Sequence, residues 1–232
     1  MSRETIKYLA IVAMTMNHIA GGLMPDGILR EAMQDIGYFT AVVMCFFLAE
    51  GFRYTSSKKR YRARLFAFGV ISQFPFYFAF RVSVLNMMVT LFLSFLLLEV
   101  AEEKRFEGKR TVLGILLVFA SGICDWPIMA PLFTLLFYQA GENRQERKRA
   151  CGSVMILYVM FTFISYTALY GGFGALVYTL FASIGPAAAC LVILFAYNGK
   201  EGAKGRGSKW FFYLYYPAHL LVIGLIRLKL GI

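Results

Sequence analysis

The chain has 232 residues, 59% of them hydrophobic and only 16% charged, with a mean hydropathy of +0.63. Soluble domains are normally less than half apolar with about a quarter of their residues charged, so this composition excludes an ordinary water-soluble enzyme and indicates an integral membrane protein. The net charge of +11 is assigned to loops that orient the chain against membrane potential and anionic lipid, with the lipid bilayer as partner and no nucleic acid.

A helix that crosses the hydrocarbon layer needs roughly 20 mostly apolar residues. Nine stretches approach that length in chain order: 6–24, 36–54, 63–80, 86–101, 111–123, 127–141, 151–170, 173–197 and 210–230. The first is too long for the apolar core of a cleaved leader and carries Asn17 and His18 at its centre, so it reads as a spanning helix. The fifth and sixth are short and are expected to form one tight hairpin around Cys124, Asp125 and Trp126, with Asp125 and Trp126 as an external turn. Before the last stretch, Asn198 to Ser208 is rich in Gly and Lys and reads as a flexible linker. The expected fold class is therefore all-α, a polytopic membrane helical bundle of about nine transmembrane helices, in one domain over residues 1–232.

Basic residues fall alternately between these stretches. Arg3 and Lys7, Lys58 to Arg64, Lys104 to Arg110, Arg144 to Arg149 and Lys200 to Lys209 hold most of the 24 Lys and Arg on one side. By the excess of positive charge on cytoplasmic loops, that side is cytoplasmic, which places the amino terminus inside and the carboxyl terminus outside. Cys45, Cys124, Cys151 and Cys190 show no CxxC or metal-ligand spacing and read as small packing residues; no metal is expected.

Ionisable groups inside a bilayer are costly and suggest either function or a buried pair. The chain has two histidines, His18 and His219, both within expected spans. At about 1.5 Å of rise per residue they lie about 18 Å and about 14 Å from the cytoplasmic ends of their helices. Glu50 stands near the inner end of the second stretch, and Gln73, at about 15 Å, precedes the backbone-freeing Pro75. Lys7 and His18 are eleven residues apart, which puts them on one face of a helix about 16 Å apart along its axis. That spacing suits an extended anionic donor such as acetyl-coenzyme A, with its phosphates on cytoplasmic Lys or Arg and its thioester at the imidazole. His18 would then act as general base, and His219, Gln73 or Asn17 would steady the oxyanion.

Each feature also has a structural reading. The histidines can hold helix to helix, Glu50 and Arg53 can form an interfacial ion pair, and the aromatic run from Trp210 to Tyr216 can anchor the last helix at the interface.

Five strings carry a family resemblance: IKYLAIVAMTMNHI at 6–19, FFLAEGFRYT at 46–55 with the basic run after it, ISQFPFYFAF at 71–80, LNMMVT at 85–90 and FFYLYYPAHLL at 211–221. Together they resemble the TraX family, multi-pass membrane proteins named for a conjugation protein that acetylates pilin at its amino terminus. The resemblance implies a membrane acetyltransferase of the cell membrane that uses cytoplasmic acetyl-coenzyme A as co-substrate. Its acceptor would be a pilin-like peptide amine, a sugar or a lipid-linked glycan. It implies site roles for His18, Glu50, Arg53 and His219, with His18, Glu50 and His219 expected as catalytic, and matches Lys7 to the family's basic residue; by their own positions Asn17, Gln73, Lys58, Lys59 and Arg60 join Lys7 and Arg53 as expected binding residues. The chain departs from the family pattern at Asn17 and Gln73, where an acidic residue is usual. The rival expectation is a non-enzymatic membrane protein, a small-molecule permease or scaffold, in which the histidines only join helices.

Overall fold

The computed structural model describes residues 1–202 and 208–232. It is 85% helical with no strands among those residues, and the chain divides into two compact units.

The first unit holds residues 1–44 and the described part of 142–205. Helix α1 (Arg3–Leu23) starts at Ser2, whose hydroxyl accepts a hydrogen bond from Thr5 N at 3.3 Å and satisfies one of the free amides of the first turn. α2 (Ile28–Gly37) and the start of α3 (Phe39–Tyr54) return antiparallel to it. Two side-chain bonds fix the register: Thr40 Oγ1 donates to Ala10 O at 2.7 Å, and Asn17 Nδ2 donates to Gln34 O at 2.9 Å. Gly37 lies directly against the Asn17 side chain, so a methyl group there would collide with it.

α8 (Arg144–Ala182) is not one rod. Gly171 has φ 70° and ψ 177°, a conformation essentially confined to glycine, and the chain folds back there. Tyr170 stacks on Tyr178 with ring centroids 4.1 Å apart, and the Tyr158 hydroxyl donates to Ala182 O at 3.2 Å. A straight helix would hold the last two residues about 36 Å apart. α9 (Ile184–Leu191) follows and ends in a wide turn of π-helix over Val192–Ala196.

The second unit holds 45–141 and the described part of 206–232: the rest of α3, α4 (Lys58–Phe80), α5 (Met87–Glu102), α6 (Arg110–Ala120), α7 (Met129–Ala140) and α10 (Ser208–Leu230). α4 and α5 run antiparallel, with Arg62 opposite Glu99 and Gly69 opposite Val89. α4 and α10 run parallel, because Phe68 meets Tyr213, Phe78 meets Gly224, and Arg227 Nη1 donates to Ala79 O at 2.9 Å. Phe52, Phe95 and Phe133 are among its fully buried side chains.

Three expectations change. Four stretches among the described residues are long and apolar enough to cross a membrane, Ile28–Tyr54, Lys58–Phe80, Arg144–Ala196 and Trp210–Leu230; the count of about nine spans is not supported. α1 has the length, at 21 residues, but its polar residues keep its hydropathy low, while α5, α6 and α7 have 16, 11 and 12 residues. The seventh and eighth expected spans belong to one apolar stretch folded at Gly171. Second, the start of the expected linker is tied down: Arg3 N donates to Lys200 O at 2.8 Å and Glu4 N to Glu201 O at 3.2 Å. Residues 203–207 of that linker lie outside the described residues. Third, Asp125 is no plain external turn. Leu85 pairs with Cys124 in an isolated parallel bridge, and Thr90 Oγ1 donates to Asp125 O at 2.5 Å. The two connectors are thereby joined.

Candidate functional site

In the first unit, Lys7, Asn17 and His18 all stand on α1. His18 is buried at 8% exposure, whereas Lys7 is partly exposed. Ala10, Ala13, Ala20 and Gly22 form much of the buried side of this helix, and such small residues let neighbouring backbones approach closely. Asn17 spends an N–H on the carbonyl of Gln34, as described.

In the second unit the expected residues fall into two clusters, about 22 Å apart along α4 from Lys58 to Gln73. The first gathers where α3 ends and α4 begins. Glu50 is buried there at 6% exposure. Arg53 Nη2 donates to Tyr138 O at 2.6 Å, and its guanidinium carbon lies 5.5 Å from the Tyr138 ring centre. Lys58 pairs with Glu102 and lies 4.2 Å from the centre of the Phe52 ring. Lys59 and Arg60 are exposed on the first turn of α4, which begins at Ser57, whose hydroxyl accepts from Arg60 N. The basic run is therefore divided: Lys58 is committed to a carboxylate, and its two neighbours face outward.

The second cluster lies midway along α4 and α10. Gln73 and His219 are level on these parallel helices, between the contacts Phe68 with Tyr213 and Phe78 with Gly224. The Gln73 amide clasps the chain entering α5: its Nε2 donates to Val84 O at 2.9 Å, and its Oε1 accepts from Asn86 N at 3.0 Å and Asn86 Nδ2 at 2.8 Å. His219 is buried at 8% exposure and stacked on Tyr215 at 4.9 Å between ring centres. Its Nδ1 lies 2.7 Å from Tyr215 O. A carbonyl only accepts, so Nδ1 carries the proton and the neutral ring has its lone pair on Nε2. That tautomer suits a proton acceptor better than an oxyanion donor.

Three residues outside the expected site shape these clusters. Asn86, fully buried, donates to Gly69 O at 2.8 Å as well as to Gln73, and its Oδ1 caps α5 by accepting from Met88 N at 3.0 Å. Glu99, with 5% of its side chain exposed, pairs with Arg62 at 2.7 Å. Arg64 is bracketed by the rings of Tyr61 and Tyr213. The signal for Glu99 was present in the sequence, as a carboxylate inside the apolar stretch 86–101. Asn86 had the weaker signal of a cap residue directly before an apolar run.

Among the described residues, no group of three or more His, Cys, Asp or Glu is placed to hold a metal ion. All four cysteines are free and buried.

Described residues that are helical throughout their regular structure, with four stretches among them fit to cross a bilayer and polar clusters buried among apolar helices, define a helical membrane protein. Its family follows from comparison with known proteins: the TraX family model matches residues 2–227, and the chain belongs to that family. It is also similar to a protein of Dichelobacter nodosus named probable fimbrial assembly protein FimC, serogroup H1. The two are 31% identical over 234 residues, which cover 94% of this chain and 92% of that protein. No solved structure matches the chain.

Proposed function

We propose that this protein is a multi-pass enzyme of the cell membrane, with a cytoplasmic amino terminus, that transfers an acetyl group from cytoplasmic acetyl-coenzyme A to an acceptor in the cell envelope. Residues 1–232 act as one TraX-like domain. The observation that carries this reading is the buried His18, one residue beyond Asn17 and eleven beyond Lys7 on α1, in a chain of this family. The fimbrial name of the relative supports an envelope acceptor, either a pilin-like peptide amine, a sugar or a lipid-linked glycan.

In this mechanism Lys7, on the same helix as His18, attracts the nucleotide phosphates. His18 removes the proton from the acceptor hydroxyl or amine as it attacks the thioester carbonyl. The carbon–sulfur bond then breaks, the acetyl group remains on the acceptor, and the departing thiolate of coenzyme A takes up a proton.

The deciding experiment gives purified protein acetyl-coenzyme A carrying a labelled acetyl group and follows both binding and loss of thioester. His18→Ala should cut turnover by about 100-fold or more while binding persists. Failure of the wild type to bind acetyl-coenzyme A, or unchanged turnover in the variant, overturns the proposal. One observation favours the rival of a permease or scaffold: the amides of Asn17 and Gln73 are spent on backbone partners in neighbouring segments. That rival gains if the histidine variants lower thermal stability and no acetyl group ever moves.

A further inference from the structure

Most cations of the second unit with a described partner are spent on oxygen. Arg53 holds a carbonyl, Lys58 and Arg62 hold carboxylates, and Arg110 Nε donates to Val100 O at 3.2 Å. Arg64 differs. Its guanidinium carbon lies 5.5 Å from the centre of the Tyr61 ring and 5.9 Å from that of Tyr213. Its Nε–H is shielded from solvent and makes no hydrogen bond, although the residue as a whole is partly exposed. A shielded donor without an acceptor calls for a group to fill it, and for a guanidinium the best match is a phosphate oxygen.

Beside this arginine is an aromatic shelf. Tyr213 packs on Phe68 at 5.0 Å between centres, tilted by 31°, and Trp210 lies 6.3 Å from Phe68 and 6.4 Å from Tyr213. Trp210 is 51% exposed, so part of its indole is open. A phosphate site next to an open indole matches a phosphorylated nucleoside, whose base stacks while its phosphate pairs with the guanidinium. A lipid headgroup supplies the phosphate but nothing to stack.

We infer that Arg64, Tyr213 and Trp210 form an adenine-stacking, phosphate-binding shelf that holds the nucleotide end of acetyl-coenzyme A. This rests on the proposed acetyltransferase reading.

The sequence holds two tryptophans, Trp126 and Trp210, so Trp126→Phe leaves one reporter on the shelf. Coenzyme A or adenosine 3′,5′-bisphosphate should quench its emission saturably. Arg64→Gln should weaken binding by about tenfold or more, and Arg64→Lys by less. Trp210→Ala, followed by calorimetry, should also weaken it, and thermal melting shows whether each variant is folded. Coenzyme A affinity unchanged in folded Arg64→Gln overturns the shelf and leaves the acetyltransferase reading standing. Absence of any coenzyme A binding in the wild type removes both. If phosphatidylglycerol vesicles bind through Arg64 while the nucleotides neither bind nor quench, the ligand is a lipid headgroup and the inference fails.

Discussion

Gln73 Oε1 accepts two hydrogen bonds from Asn86, one from the backbone N at 3.0 Å and one from Nδ2 at 2.8 Å. The pair locks the middle of α4 to the start of α5, at the level where His219 stands on α10. Asn86 also caps α5 and satisfies Gly69 O. Asn86→Ala should therefore lose a cap and leave buried acceptors unmet, for a destabilisation of about 3 kcal/mol. Gln73→Glu, which introduces the acid usual in the family, loses the donor to Val84 O and should lower the melting temperature too. Thermal unfolding in detergent checks both; an Asn86→Ala protein as stable as wild type would contradict the account.

The ion pair of Arg62 with Glu99 is asymmetric, with 36% of the arginine side chain exposed but only 5% of the carboxylate. Removing the arginine strands a buried charge, whereas neutralising the carboxylate leaves a partly solvated cation. Arg62→Ala should cost about 3 kcal/mol and Glu99→Gln clearly less. Denaturant titration of both variants and the double variant tests the order. The double variant should recover part of the loss.

Burial pushes the Asp125 carboxyl up from 3.8 to about 6, opposed only in part by a hydrogen bond from the Trp126 backbone. The fold thus binds this proton more tightly than the unfolded chain does. The resulting stabilisation is complete below about pH 4, is lost as the pH climbs to about 6, and changes no further above that. Asp125→Asn cannot ionise and should gain on the wild type across this window. Parallel melting curves of the two proteins from pH 4 to pH 7 would show it, and a constant gap between them would refute it.

Gly171 holds φ 70° and ψ 177° with open space where a side chain would begin. Strain rather than crowding decides the effect of a substitution there. Gly171→Ala should destabilise the first unit by about 1–3 kcal/mol. Gly172→Ala, which also meets nothing and has no such backbone angle, should be tolerated. Equal melting temperatures for the two variants would remove the argument.

Apolar length and composition by themselves determine that this chain is helical and belongs in a membrane, because burying a peptide backbone in lipid demands that every segment satisfy its own hydrogen bonds. The five strings at 6–19, 46–55, 71–80, 85–90 and 211–221 were enough to recognise the family, and the rarity of ionisable residues within apolar stretches was enough to single out His18, Glu50 and His219 as candidates. What they touch was beyond the sequence. Hydropathy separated 151–170 from 173–197 on either side of Gly171, but not the contacts that the reversal there makes, Tyr170 on Tyr178 and Tyr158 to Ala182 O. Charge spacing located a basic run yet could not show that Lys58 meets Glu102 while Arg64 meets the ring of Tyr213, since those partners lie 44 residues away in one case and 149 in the other. Hydrogen bonds and ion pairs act over a few ångströms of space, and only the packing of α4 against α5 and α10 brings such distant residues within that reach.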